Sequence, residues 1–331
     1  MEDKDIPNNS EEFKTIGSLV PNTLNGINAA YSQMTGITGV PSGFTELDRL
    51  TSGWQGSDLI IIAARPGMGK TALAITLARN AAIDFKMPVA IFSLEMNERQ
   101  LTQRLISSET ELSLSNLRKG QLQDYEFEQL TCKVSKLSDA PIYIDDTPGL
   151  SITEFVNKAI SLKRKHNIQM IVLDYIQLMM LGNKSKDNRE QEISLISRTL
   201  KALAKDLDIP IIALSQLSRS VEQRGRAKQR PQLSDLRDSG ALEEDADIVM
   251  FVYREDYYDL EDPESHPDSA EIIISKHRNG PLDSVHLRFL KEYAKFVDGP
   301  PLNDYNDYQP DAPRTMTKGT KTNDIKDEGP F

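Results

Sequence analysis

The residues most able to do chemistry in this sequence begin at Ala64-Arg65-Pro66-Gly67-Met68-Gly69-Lys70-Thr71. This octet follows the apolar run DLIIIAA and opens the helical pattern TALAITLARNAA. A tight strand-to-helix turn of small residues lets consecutive backbone N–H groups converge on phosphate oxygens. The helix N-terminus adds its positive dipole end. At this spacing Lys70 reaches the β- and γ-phosphates and the Thr71 hydroxyl holds Mg²⁺. The loop departs from the strict phosphate-loop pattern by carrying Ala64 in the first position, which alanine can fill if no positive φ is needed there. A chance Gly-Lys-Thr in a surface turn would lack the flanking strand and helix. The octet reads as a nucleotide-binding loop.

Three further polar residues close apolar runs. Asp174 ends MIVLD, Glu95 ends VAIFSLE directly after the phosphate-loop helix, and Gln216 ends IIALSQ. A lone strand-end acid commonly caps a turn, but with a phosphate loop upstream Asp174 reads as a Mg²⁺ ligand, direct or through water. Glu95 is placed to orient or deprotonate a water attacking the γ-phosphate. The Gln216 amide could sense the γ-phosphate, with a solvated strand end as the alternative. Three such residues facing one nucleotide describe a hydrolase better than a transferase. The guanine-reading Asn/Thr-Lys-x-Asp motif is absent from the sequence, so the nucleotide reads as ATP.

The elements that must position these groups alternate. Strands are predicted at Asp58–Ala64, Val89–Leu94, Pro141–Asp145, Met170–Asp174, Ile211–Ser215 and Ile248–Tyr253. Helices are predicted at Lys70–Phe85, Asn97–Ser107, Tyr125–Leu137, Ile152–His166 and Glu190–Leu207. The strands are continuous apolar runs, as expected when helices cover both sheet faces. The fold class is therefore α/β, a mostly parallel twisted sheet in which strand C-terminal ends share the ligand side. Ala270–Ser275 and Val285–Leu290, joined through Asn279-Gly280-Pro281, extend it as an antiparallel C-terminal hairpin. The ATPase domain spans 37–298. Residues 1–10 read as a disordered lead. Residues 11–36 read as an arm of two short amphipathic segments split by Pro21 and Asn25-Gly26, with little core of its own. Residues 299–331 read as a disordered acidic tail.

The 331 residues carry a formal net charge of -11, which taken alone argues against a nucleic-acid partner. Resolved along the chain, residues 1–16 hold -3, residues 17–252 hold -1 and residues 253–331 hold -7. The acidity belongs to the ends. The single cysteine, Cys132, excludes an internal disulfide and reads as a small buried side chain on a helix. No apolar run approaches the roughly 18 residues of a membrane span, and the polar, acidic N-terminus has no signal-peptide pattern. These features predict a cytoplasmic protein without a membrane partner.

The stretch TGVPSGFTELDRLTSGWQGSDLIIIAARPGMGKTALA, with FSLEM, IVLDYIQLM, LSQLSRSVEQR, SDLRDSGALEEDADIVMFVYRED and IIISKHRNGP, closely resembles the DnaB-type replicative DNA helicases over about residues 10–298. The resemblance implies a RecA-like P-loop ATPase acting as a homo-hexameric ring around single-stranded DNA. It also implies ATP-driven 5′–3′ translocation that separates the duplex during replication. It casts Lys70 and Thr71 as phosphate and Mg²⁺ contacts, Glu95 as the catalytic carboxylate, Asp174 as the second-motif acid and Gln216 as the sensor. Lys276 and Arg278 match the basic pair that reaches the γ-phosphate of the neighbouring subunit. Without the resemblance they would be ordinary hairpin charges. The arm resembles the linker helix that grips the adjacent protomer. The family's N-terminal collar domain has no counterpart, so the chain reads as a truncated or naturally short form, and contacts with primase and a helicase loader stay open. Tyr293-Ala294-Lys295-Phe296 stands where the family has a tryptophan.

Two polar loops follow the strands of Asp174 and Gln216. Gly182–Arg189 carries Lys184, Lys186 and Arg189. Leu217–Arg237 carries six basic residues, among them Arg224, Arg226 and Arg237, against two acids, for a net +4. A charge run is often just a solvated face, but in a ring these loops would face the central channel. Asp235–Gly240 resembles the family's phosphate-gripping loop, in which Arg237 and the backbone near Asp238 and Gly240 meet successive phosphates. No aromatic residue lies in the loops, so the expected binding tracks the backbone, ignores sequence and responds to salt. Two other readings are a recombinase-like or clock-protein-like DNA-dependent ATPase that does not unwind, and a nucleotide-gated DNA-binding scaffold. The arm and SKHRNGP favour the helicase over the first, and Glu95 argues against the second.

Overall fold

The computed structural model describes residues 15–32, 36–180, 189–218, 221, 230–257 and 268–299. The lead (1–10) and all of the tail beyond Gly299 lie outside the described residues. Among the described residues the core is one nine-stranded sheet in the order β3-β2-β4-β5-β1-β6-β7-β8-β9. Its strands are β1 (Leu59–Ala64), β2 (Val89–Ser93), β3 (Ile142–Asp145), β4 (Met170–Asp174), β5 (Ile211–Gln216), β6 (Ile248–Tyr253), β7 (Ser269–His277), β8 (Ser284–Leu290) and β9 (Lys295–Asp298). The first six pair in parallel, and β7, β8 and β9 continue the sheet antiparallel.

The pattern of burial explains this division. Every residue of β1, β2 and β4 is buried, so both faces must be covered, and alternate residues feed two separate cores. Ile60 and Ile62 enter one with Leu73 and Leu77, whereas Leu59 and Ile61 enter the other with Leu200 and Ala204. In β8 only alternate residues are buried, the pattern of an antiparallel strand with one solvated face.

The helices are α1 (Ile16–Ser32), α2 (Thr45–Thr51), α3 (Lys70–Arg79), α4 (Glu98–Thr110), α5 (Leu114–Lys119), α6 (Asp124–Ser138), α7 (Ile152–His166), α8 (Arg189–Leu207) and α9 (Gly240–Asp245). The helix expected over 70–85 instead changes to a wider π turn at Asn80–Asp84. There the Asn80 side chain reaches the Ser42 carbonyl at 3.0 Å. Short α2, α5 and α9 and the four-residue β9 were not expected from periodicity, which needs more than two turns to register.

Two expectations are corrected. The arm is not split: α1 runs through Pro21 and Gly26 as one helix. Proline removes one N–H, and because Gly17 four residues earlier is exposed, water can satisfy the orphaned carbonyl. Its apolar residues stay in solvent, with Ile16 77% and Tyr31 91% exposed. Cys132 is exposed rather than buried. It sits on α6, which packs on α4 at the rim and buries none of its residues fully.

Candidate functional site

Parallel pairing brings the C-terminal ends of β2, β4, β5 and β1 side by side, with Ser93 opposite Asp174 and Ala64 opposite Gln216. Ala64 is the last residue of β1, with no positive φ, which is why alanine is tolerated there. The glycines that follow are obligatory. Gly67 and Gly69 have φ of 82° and 98°, and a Cβ on Gly67 would lie 2.9 Å from the Tyr257 ring. Gly69 caps α3, whose first turn holds no acidic residue to compete for its free N–H groups.

Above this turn lies a pocket of about 380 Å³ whose lining includes the phosphate loop, Glu95, Arg104 and Gln216. The Thr71 hydroxyl donates to Asp174 Oδ2 at 2.8 Å, while Asp174 Oδ1 is buried with no hydrogen-bond partner. An anionic oxygen left bare beside a threonine hydroxyl is the donor set expected for a hard divalent cation and its waters. Burial raises the Asp174 pKa, opposed by Lys70, the Thr71 hydroxyl and Arg104. Burial likewise lowers Lys70, opposed by Asp174 and Glu95. The Lys70 ammonium rests 4.5 Å from the centre of the Tyr175 ring, a cation–π contact that holds it at the pocket.

Glu95 lies two residues past β2 in a short turn. Leu94 N donates to the Asp174 carbonyl at 2.6 Å, and Ser93 Oγ accepts from Met96 N at 3.1 Å. The turn leaves the carboxylate exposed toward the pocket. Gln216 is the one exposed residue of β5.

Sequence reasoning missed Arg104. It lies mid-helix in α4, and its charge faces Asp174 and Glu95, although burial lowers its pKa. Only the placement of α4 over the strand ends reveals it. Arg65 lines the pocket with the rest of the loop, and its guanidinium Nη1 donates to the Leu217 carbonyl at 2.7 Å inside the protein. The far wall of the pocket includes Phe289, Lys291 and Ala294, with Arg254 stacked 4.7 Å from the Phe289 ring centre.

Lys276 and Arg278 do not join this cluster. They lie at the end of β7 on the opposite edge of the sheet, where Arg278 N donates to the Asp247 carbonyl and Asp247 N to that of Leu59. Lys276 Nζ donates to the Glu243 and Glu244 carbonyls, and Arg278 Nη2 to Glu244 O at 2.6 Å. Lys184, Lys186, Arg224 and Arg226 lie outside the described residues, as do the side chains of Arg189, Arg237 and Asp238. Gly240 is exposed at the start of α9.

Residues 39–298 match the family described as DnaB-like helicase C terminal domain. The chain belongs to this family. It is 50% identical over 289 residues to the replicative DNA helicase DnaB of Geobacillus stearothermophilus, and 49% identical over 290 residues to the replicative DNA helicase DnaC of Bacillus subtilis (strain 168). These alignments take in 87% and 88% of this chain but 63% of each relative, so the chain spans less than two thirds of their length. Among solved structures, one described as an ATPase domain superposes with a TM-score of 0.81 at 41% identity, covering 87% of this chain and all of that one. A DnaB-like replicative helicase, described with its interactions with primase, gives 0.77 at the same identity, with 87% of this chain and 68% of that one covered. The RecA-like architecture expected from the sequence is thus the fold of this family.

Proposed function

We propose that this chain is the ATP-hydrolysing motor of a replicative DNA helicase. It works as a homo-hexameric ring on single-stranded DNA, with 5′–3′ polarity taken from the family likeness. The observation that carries the reading is the Thr71–Asp174 pair, with its bare carboxylate oxygen, standing beside Glu95 at the mouth of the phosphate loop. Bound Mg²⁺ would supply Lewis-acid stabilisation of the β- and γ-phosphate oxygens, held by Thr71 and Asp174.

The chain's own groups do the rest. Lys70 and the N–H groups of residues 67–71 neutralise the phosphate tail, and Arg104 adds a cation on the Glu95 side. Glu95 orients the attacking water and takes its proton as the bond to the γ-phosphorus forms and the bond to the leaving ADP oxygen breaks. Gln216 reads whether the γ-phosphate is present. Lys276 and Arg278 act on the neighbouring subunit's nucleotide, since their own pocket is at the far end of the sheet. The exposed apolar face of α1 fits a grip on an adjacent copy. The basic segments 182–189 and 217–237 serve the DNA strand. No helix among the described residues is long and apolar enough to cross a membrane.

The test is ATP turnover with and without single-stranded DNA, together with strand separation on a forked duplex, for wild type and Glu95→Gln. The proposal expects DNA-stimulated turnover and unwinding in wild type, and at least a hundredfold lower turnover in the variant, on the order of what a catalytic base contributes. Turnover without strand separation would favour the non-unwinding ATPase. Undiminished turnover in Glu95→Gln would remove Glu95 from its role.

A further inference from the structure

Four hydrogen bonds converge on three consecutive residues at the end of β5. Gln177, three residues after Asp174, donates from Nε2 to Ser215 Oγ at 2.8 Å and accepts from Gln216 N on Oε1 at 3.4 Å. On the other side, the Ala64 carbonyl accepts from Leu217 N at 3.1 Å, and Arg65 Nη1 donates to Leu217 O at 2.7 Å. Ser215, Leu217 and Arg65 are buried, so the Arg65–Leu217 bond is shielded from competing water, the Gln177–Ser215 bond is partly so, and the longer Gln216 N–H contact is open to solvent.

The donors come from two loops that themselves carry reactive groups. Arg65 belongs to the phosphate loop, and Gln177 lies in the short 3-10 turn Ile176–Leu178 that directly follows Asp174 and Tyr175. Neither contact ends on a group that would touch phosphate. Both end on the chain that carries Gln216. In sequence, the chain after Gln177 runs into the basic segment 182–189, and the chain after Leu217 into the second basic segment.

We propose that Gln177 and Arg65 are positioning residues that clamp the Ser215–Leu217 segment between the Asp174 turn and the phosphate loop. Gln216 then follows nucleotide occupancy, and DNA stimulation of hydrolysis passes through the clamp. This rests on the motor reading above. A nucleotide that draws the phosphate loop and the Asp174 turn together shifts both jaws, and Gln216 moves with them because residues on either side of it are held.

The experiment measures nucleotide affinity with a fluorescent ATP analogue, and the ATPase rate with and without single-stranded DNA. The proteins are wild type, Gln177→Ala, Gln177→Glu, Ser215→Ala and the Gln177→Ala/Ser215→Ala double variant. Gln177→Ala should lower the DNA-stimulated rate about tenfold, the upper scale of one partly buried hydrogen bond, and change the DNA-free rate and the analogue Kd less than about twofold. Gln177→Glu should recover most of the loss, since a carboxylate accepts from both the Ser215 hydroxyl and Gln216 N–H. The double variant should be no worse than Gln177→Ala alone. Full DNA stimulation in Gln177→Ala overturns the clamp. So does a parallel loss of analogue binding, which marks a merely structural role, or multiplying losses in the double variant. Absence of DNA stimulation in the wild type would instead overturn the motor reading itself.

Discussion

Lys70 and Arg278 lie at opposite ends of the central strand β1. Lys70 follows Ala64 at its C-terminal end, whereas Arg278 is tied through Asp247 to Leu59 at its N-terminal end. Six residues of strand separate these ends by roughly 17–20 Å, too far for both cations to meet one phosphate tail. Arg278 is also pre-aimed, since the Glu244 carbonyl and, more distantly, the Asp247 carboxylate hold its guanidinium while leaving it about half exposed. In the proposed ring, a cation fixed on one edge and a phosphate loop on the other would let each subunit finish its neighbour's site.

Arg104 is predicted to matter for the chemical step. Arg104→Ala should lower kcat about a hundredfold, the cost of losing a fixed charge beside developing phosphate charge, with a small change in KM. Arg104→Lys should recover part of it. Steady-state ATPase kinetics decide the matter, and a pure KM effect would place Arg104 in binding alone.

Gly69→Ala should weaken nucleotide binding about tenfold, because a left-handed φ costs an alanine about 1–2 kcal/mol. The new Cβ would also stand 3.1 Å from the Phe296 ring. Fluorescent-nucleotide titration gives the affinity, and an unchanged Kd would show that the loop can shift freely.

A pH dependence is expected at the opposite end of the sheet. Burial, reinforced by the Asp247 carboxylate, pushes Asp58 up to about 6, while Lys201 and Arg278 pull it back. A carboxyl that holds its proton more tightly when folded stabilises the fold at low pH, and that contribution is lost as pH rises from about 4 to about 6. Asp58→Asn has no such loss. The Tm of the variant minus that of wild type should therefore climb by a few degrees across this window in thermal melts. A constant difference would mean that Asp58 titrates normally.

Arg237→Ala should weaken binding to single-stranded oligonucleotides equally for all sequences. It should also reduce the slope of log K against log salt by about 0.7, the single-strand value for one phosphate contact. Binding titrations at several salt concentrations measure this, and an unaltered slope would take Arg237 out of the DNA path.

The sequence showed the site unevenly, and the reasons are physical. The phosphate loop and the strand ends at Asp174 and Gln216 were legible because each is a local pattern, an apolar run closed by a polar residue. The Thr71–Asp174 contact depends on β4 and β1 flanking β5, an order that alternation alone does not fix. Arg104 was invisible because one arginine on an amphipathic helix has no local signature. The Arg65 side-chain contact with Leu217 has no sequence signal either, because it joins residues that are distant along the chain. Pro21 suggested a break that an exposed helix tolerates.

That hydrolysis occurs between subunits is tested most directly by mixing Lys70→Ala and Arg278→Ala proteins and measuring DNA-stimulated ATP turnover in the mixed rings. Each variant alone should be inactive. In a random head-to-tail mixture about a quarter of the interfaces pair an intact Lys70 with an intact Arg278, and turnover should reappear in proportion. Mixed rings, verified as mixed by native mass spectrometry, that turn over no faster than either variant alone would contradict a site completed by the neighbouring subunit.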